Sequence, residues 1–511
     1  MTDSSHPHAS QLERLGQFLR RPYVALLLLI VCIFGLYYGT LSFEFVWDDF
    51  PQIVDNPMLH SWNIRRAFLS DLWFHTNREQ VFYRPLFVIW SILNFKIFAL
   101  KTAGWHLTTL LLHIASTCMV FCVTRRLKVD YWTALLAALL FGLHPIHIEC
   151  AAWISSGSDS MMTIFYLLAF VAYLKTHEPQ ANRRAWTLLS YAALACALLT
   201  KEMAVTFAVI IALYEWVSSK EELRPLAARL RRSVLSAAPY ALITAGYLVL
   251  RTLVLHRATN LDSHYSNLAV ILTLPIVLFS YLRLLIFPKG LTTLYYTPYT
   301  VHPEFWNFVF PLCVLLLVAA ALWLWARRSR DILISFFGLW LLISLAPTLY
   351  LRLFPAGSGV RDRYVYLGSV GFAVLTAKLI RAIKNNSGTL FRPITQGTIV
   401  AVVCISYAIG IWTQQIYWAN NLLLFYRGYS LYPNSFAVQM NVAAALIQKR
   451  EYLPAIAILK RVIQQYPDSG EPYSALAELY VSVDKDDESR RALDTALQLK
   501  PDLLQSDFGK V

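Results

Sequence analysis

Apolar residues in this chain come in long unbroken runs, and most of the charge lies in the stretches between them. The first run, 22–41, holds 20 residues and no charge. As a helix, that length crosses about 30 Å of hydrocarbon. Runs of helical length follow at 103–124, 131–143, 161–174, 185–199, 203–217, 234–255, 306–325, 332–349, 365–380 and 394–412. The pattern predicts an all-α fold, a polytopic membrane bundle of about 11 spans. Stretch 84–100 is apolar too but carries Arg84, Asn94 and Lys96. Such residues are costly at mid-bilayer, so this stretch is expected at the interface.

Charge orients the runs. Arg14, Arg20 and Arg21 precede the first one. Arg125, Arg126 and Lys128, then Lys175, Arg183 and Arg184, then the basic stretch 220–232, follow at alternate connections. A cytoplasmic N-terminus puts all of them inside. Arg327, Arg328, Arg330, Arg381, Lys384 and Arg392 join them only if 268–287 does not cross. That stretch holds Arg283 and is therefore expected at, or partly in, the outer surface. The C-terminal tail is then outside. The first run is too long for a removed signal peptide and lacks an A-x-A site.

Composition sharpens this. The chain has 511 residues, is 57% hydrophobic and has a mean hydropathy of +0.48, which excludes a soluble enzyme. Residues 434–511 carry nine Lys and Arg against eleven Asp and Glu, leaving 36 against 20 for the rest. The net charge of +14 thus belongs to the membrane part. Anionic lipid accounts for it, and no nucleic-acid partner is expected. The seven cysteines (32, 118, 122, 150, 196, 313 and 404) lie in or beside apolar runs and read as small buried hydrophobes. The only N-x-S sequence, Asn385-Asn386-Ser387, falls on the expected cytoplasmic side.

The tail has a different period. Pro433, Pro467 and Pro501 recur every 34 residues, the tetratricopeptide-repeat spacing. Ala443, Leu446, Ala455, Leu459 and Pro467 occupy packing positions in one unit. Tyr473, Leu476, Ala477, Tyr480, Leu493, Ala496 and Pro501 do so in the next. A half unit, 422–433, leads them. Three parts follow: a cytoplasmic segment 1–21, a membrane domain 22–416 and a repeat domain 417–511. Two units are few for a free-standing solenoid, so the tail is expected to rest on the membrane domain.

This topology gathers polar residues on the outer face: Asp48, Asp49, Asp55, Tyr83, Arg84, His106, His144, His147, Glu149, Asp159, Lys201, Glu202, Arg361, Asp362, Arg363, Tyr364 and Tyr366. Intramembrane and membrane-edge ionisable groups are functional candidates by default. Adjacent carboxylates repel, so one pKa rises while the other stays an available base. Asp48, Asp49 and Glu149 are the candidate catalytic acids and bases, with Asp48 favoured as the base. Arg361, Arg363, Lys201, Tyr83, Arg84, His144 and His147 are candidate substrate-binding residues. Arginine holds phosphate bidentately, and a phosphate at a membrane surface points to a polyprenyl-phosphate donor; Arg363 is favoured for it, with Arg361 or Lys201 assisting. His144 and His147 are spaced i,i+3, but Pro145 intervenes and no Cys completes a set, so no metal is predicted. His113, mid-run, reads as a helix–helix hydrogen bonder. The plainer reading of Lys201 and Glu202 is a pair at a helix end.

Several motifs then carry a resemblance. Phe45-Val-Trp-Asp-Asp49 with Ile53 and Asn56-Pro57, Tyr83-Arg-Pro-Leu86, Leu111-Leu-His113, Leu140-Phe-Gly-Leu-His-Pro-Ile-His-Ile-Glu-Cys-Ala-Ala152, Thr200-Lys-Glu202 and Arg363-Tyr-Val-Tyr-Leu-Gly-Ser-Val-Gly371 occur in this order. Together they resemble the transmembrane and tetratricopeptide-repeat-containing O-mannosyltransferases. The resemblance implies a GT-C fold and transfer of a sugar, possible mannose included, from a lipid-phosphate carrier to a hydroxyl on the lumenal or periplasmic side. It gives Asp48-Asp49 the place of the first-loop acidic motif, Glu149 that of the second-loop acid, and Arg363 a place near the lipid phosphate. The chain departs from the relatives in having about two repeats, Ser155-Ser-Gly-Ser-Asp159 where they tend to have a basic residue, and Leu294-Tyr295 where they often have Asp-Tyr. The expected partners are membrane lipid, a polyprenyl-phosphate-sugar donor, a protein or glycan acceptor, and a protein partner for the repeats. A bacterial inner membrane is favoured, or the endoplasmic reticulum in a eukaryotic cell. The alternatives are a transferase acting on a lipid-linked or surface glycan and a non-catalytic scaffold.

Overall fold

The computed structural model describes residues 18, 20–76, 82–221, 225–256, 266–353, 357–383 and 391–501. Arg14, Lys384 and Asn385-Asn386-Ser387 lie outside them. The described residues form helices α1 Pro22–Tyr37, α2 Ile64–Leu69, α3 Pro85–Phe98, α4 Thr102–Arg126, α5 Tyr131–Gly142, α6 Ile148–Ala152, α7 Gly157–Lys175, α8 Arg183–Thr200, α9 Phe207–Glu221, α10 Leu226–Leu255, α11 Asn267–Ile286, α12 Phe310–Ser329, α13 Ile332–Leu345, α14 Ser369–Ala382 and α15 Phe391–Gln415. The tail adds α16 Asn421–Leu431, α17 Phe436–Gln448, α18 Tyr452–Gln465, α19 Gly470–Val481 and α20 Asp486–Leu499.

The fold is an all-α membrane bundle with a helical-hairpin tail. Among the described residues nine helices (α1, α4, α7, α9 to α13 and α15) are long and apolar enough to cross a membrane. The count is ten if α5 and the segment Pro145–Ala152, bent by 51° at a break, form one span. Large apolar side chains on α10, α12 and α15, such as Leu242, Leu317 and Trp412, face outward and are more than two-thirds exposed. Apolar surface of that extent needs a hydrocarbon solvent. The chain is a multi-pass membrane protein.

Two expected spans form helices with less reach. α8 carries arginines at its start and α14 has only 14 residues. α14 is deeply buried against α13; a Cβ on Gly371 would come within 2.4 Å of the Phe337 carbonyl oxygen. α3, with 14 residues, is short for a span. α11 differs from the rest. It has the length and apolarity of a span, yet its contacts run along loops at the end of the bundle where the candidate site lies. Thr273 Oγ1 accepts from the Thr300 N–H at 2.9 Å. The Tyr281 hydroxyl donates to the Gly359 carbonyl at 3.2 Å and accepts from the Arg361 N–H at 3.3 Å. Phe279 packs edge-on against Phe310, at the start of α12. His144 Nε2 meets the Leu285 carbonyl at 2.8 Å.

In the tail, α16, α18 and α20 each end two residues before Pro433, Pro467 and Pro501. Proline cannot continue a helix, so each one stops a unit. Ala443, Leu446, Ala455, Leu459, Leu476, Ala477, Tyr480 and Ala496 are all buried between the paired helices.

Candidate active site

The acid pair sits in a tight turn. The Asp49 N–H donates to the Val46 carbonyl at 2.9 Å, and Asp49 Oδ2 accepts from the Val46 N–H at 3.1 Å. Asp49 Oδ1 accepts from the Ser155 N–H at 2.9 Å and from the Ser155 hydroxyl at 2.6 Å. Asp49 is fully buried, and burial pushes its pKa up to about 7, with Asp48 adding to the rise against these hydrogen bonds. Asp48 is half-buried. Asp49 thus has both oxygens committed to the fold.

Glu149, on α6, lies on the neighbouring wall. The break after α5 turns the chain so that Glu149 points at the 361–364 turn. It accepts from the Arg363 N–H at 3.1 Å and from Arg363 Nη1. Against burial, which lowers it, Glu149 and more distant Tyr364 and Asp159 hold Arg363 above its ordinary pKa. Lys201 Nζ donates to Asp159 Oδ2 at 2.6 Å, with both side chains buried. Burial pulls the Lys201 pKa down, against the pull of Asp159. Arg84 makes a two-pronged pair with Glu202, at 3.1 and 2.6 Å. Lys201 and Glu202 thus take separate partners instead of each other. Asp362 accepts from the Tyr295 hydroxyl at 2.6 Å. Burial, then Glu149, raises the Asp362 pKa well above the carboxylate range.

Arg361 is different. Its guanidinium lies 5.5 Å from the Trp47 ring centroid. Among the described residues it has no ion-pair partner, and its buried Nε has no hydrogen-bond partner. Burial, then Arg363, lowers its pKa against the pull of Tyr364, Glu149 and Asp48. Trp47 stacks on Trp153 with centroids 5.1 Å apart, and Arg363 lies over Trp153 at 4.9 Å. Two stacked indoles therefore carry the two arginines beside the acid pair. Trp47, Ser155 and Tyr295 fall in the quoted motifs but were not among the candidate site residues, and Trp153 was not named; the Trp next to each acidic motif was the available signal.

The structure brings Asp48, Asp49, Glu149, Arg361, Arg363, Lys201 and Arg84 to one end of the bundle. It sends three candidates elsewhere. Tyr83 is fully buried and its hydroxyl donates to the Phe68 carbonyl at 3.1 Å. His144 gives Nε2 to the Leu285 carbonyl, and its Nδ1 accepts from the Ile146 N–H at 3.2 Å. His147 meets the Phe141 carbonyl at 2.7 Å and the Ser369 hydroxyl at 2.8 Å. All ring nitrogens of both histidines are occupied within the fold. His113 bridges helices as expected, to the Tyr366 hydroxyl at 2.7 Å and the Gly142 carbonyl at 3.1 Å.

Comparison with known proteins agrees with the motifs. The dolichyl-phosphate-mannose-protein mannosyltransferase family matches residues 82–287, and a tetratricopeptide repeat matches 446–506. Protein O-mannosyl-transferase TMTC3 of Mus musculus is 24% identical over 93% of this chain and 55% of its own length. Protein O-mannosyl-transferase TMTC4 of Homo sapiens is 32% identical over 36% of this chain and 28% of its own. The chain thus spans about half the length of the TMTC3 relative. Among solved structures, ArnT from Cupriavidus metallidurans in the apo state aligns with a TM-score of 0.42 and 18% identity, covering 93% of this chain and 76% of that one. On the ordered motifs and the likeness along nearly its whole length, the chain is similar to the transmembrane and tetratricopeptide-repeat-containing O-mannosyltransferases.

Proposed function

We propose that this chain is a GT-C-type membrane glycosyltransferase. It moves a sugar, with mannose the first choice, from a polyprenyl-phosphate donor to a hydroxyl, with protein Ser/Thr the first choice of acceptor. Residues 22–416 supply the transferase and 417–511 the repeat unit. The site end of the bundle faces away from the cytoplasm, and the ion-paired basic end faces into it.

The observation that carries this reading is the acid pair beside Arg361, whose buried Nε has no hydrogen-bond partner. Asp49 is held by Val46 and Ser155, and Asp48, the less buried of the pair, takes the acceptor's proton. The acceptor oxygen attacks the anomeric carbon, and the bond to the lipid phosphate breaks. Arg361 meets that phosphate as its charge grows, above the Trp47 ring. Arg363 was the favoured phosphate ligand on sequence grounds, but its guanidinium is engaged by Glu149. Arg363 therefore holds Glu149 and the 361–364 turn in place, and Glu149 lines the acceptor side.

Purified chain in lipid bilayers, given polyprenyl-phosphate mannose and a Ser/Thr peptide, should yield mannosylated peptide by mass spectrometry. Transfer to a lipid-linked glycan but not to peptide would favour the glycan-modifying alternative. No transfer from any polyprenyl-phosphate sugar would leave the scaffold.

A further inference from the structure

The repeat tail reaches the acid loop itself. The backbone N–H of Trp47, the residue before the acid pair, donates to Asn421 Oδ1 at 2.7 Å. Asn421 begins α16, the first helix of the tail. Its Nδ2 donates to Gln448 Oε1 at 2.8 Å, at the end of α17. That second bond fixes which way the amide points, with its oxygen toward Trp47.

Trp47 needs such support. Its φ is 51°, in the left-handed region that a bulky residue rarely adopts. It occupies the second position of the turn closed by Val46 and Asp49. Its ring stacks on Trp153 at 5.1 Å and meets Phe425 of α16 edge-on at 6.1 Å. The strained residue is thus held at its backbone and at its ring by the same helix of the tail. Strained backbone of this kind persists only where its surroundings over-determine it.

We propose that Asn421 is a positioning residue for the acid pair, so that the repeat tail forms part of the catalytic apparatus. This rests on the reading of Asp48 as the base. Without an acceptor at 421 the Trp47 N–H loses its partner and the turn relaxes toward negative φ. The peptide that carries Asp48 then moves relative to Arg361. Any rearrangement of the repeats that displaces Gln448 reaches the acid pair through one side chain.

The test uses full-length chain in lipid bilayers and measures sugar transfer, melting temperature and the pH–rate profile. Asn421→Ala should lower kcat about ten-fold, equivalent to about 1.4 kcal/mol, with donor KM unchanged. Asn421→Asp keeps the acceptor oxygen and should hold most of kcat. Its added negative charge should move the acid limb of the profile to higher pH. Gln448→Ala should give a smaller loss of kcat of the same kind. An unchanged kcat in Asn421→Ala, with the parent active, would overturn this inference alone. Equal losses of kcat and melting temperature in Asn421→Ala and Asn421→Asp would reduce the contact to adhesion between domains and overturn it too. A parent that transfers no sugar would overturn the functional reading as well.

Discussion

Charged side chains gather at both ends of the membrane bundle, and the two ends hold them differently. At the end away from the site, Arg126 pairs with Glu178 at 2.6 Å, with both side chains about two-fifths exposed. Lys175 shares the same carboxylate, and Lys378 pairs with Asp331, their side chains 16% and 31% exposed. At the site end, Glu149 and Lys201 are at most 3% exposed while they pair with Arg363 and Asp159. Exposed pairs contribute little to stability, and buried ones at best repay their desolvation. The far end holds a buried carboxylate as well, Glu215 paired with Arg232, but among the described residues only the site end buries both members of a charged pair, Lys201 with Asp159. The chemistry is placed at the site end because the acid pair, Glu149 and the two stacked arginines gather there.

The largest test of the comparison is Asp48→Asn. A well-placed base is worth roughly 10²–10⁴ in rate, so transfer by the folded variant should fall by that factor with little change in melting temperature. Next is Glu149→Gln, which leaves Arg363 buried beside a neutral group. Breaking one side of a buried pair costs about 3–5 kcal/mol, seen as a lower melting temperature in detergent. Adding Arg363→Met should restore stability without restoring transfer. If Glu149→Gln melts like the parent, the pair is not a buried one in the working enzyme.

Arg361→Ala should act oppositely, through binding. With no ion-pair partner to abandon, it should fold normally. Its loss should raise the donor KM by about 10–100-fold, the worth of hydrogen bonds to a charged group. An unchanged donor KM would return the phosphate to Arg363. A smaller effect is pH-dependent. The Asp49 pKa in the fold is about 7, above its value in an unfolded chain. The folded state therefore holds the proton more tightly. Its stabilising contribution is complete below about pH 4 and is lost as pH rises through about 7. Melting temperature should fall across that window, and Asp49→Asn should remove this part of the slope.

Much of this was legible in the sequence, for identifiable reasons. Pro433, Pro467 and Pro501 report the repeats because proline stops a helix wherever it falls. Adjacent Asp48 and Asp49 stand out because two carboxylates after an apolar run are costly without a use. What the sequence hides is which partner each group meets. Ser155, 106 residues from Asp49, holds that acid, and Glu149 engages Arg363. His144, His147 and Tyr83 share one feature that the sequence does not display: each bonds a backbone carbonyl within the fold. They fall at helix ends, where carbonyls lose their intrahelical donors. His147 takes up the Phe141 carbonyl beside the break after α5, and Tyr83 takes up Phe68 near the end of α2. A polar side chain at a helix end looks like a ligand in sequence and serves as a cap in the fold.

The smallest expected effect is at the opposite end, and it is the control for all the others. Arg126→Gln removes one of two cations from Glu178, and Lys175 keeps its bond at 2.6 Å. No charge is left buried and alone, because the Glu178 side chain is 42% exposed to begin with. Water and mobile ions replace the lost guanidinium, and added salt screens what remains within about 10 Å at 0.1 M. The variant should therefore match the parent in transfer rate and in melting temperature, at low and high salt alike. Measured beside Asp48→Asn, it separates a general response to charge removal from a local one. A loss of transfer in Arg126→Gln comparable to that in Asp48→Asn would mean that the two ends are coupled, and that burial alone does not mark where the chemistry lies.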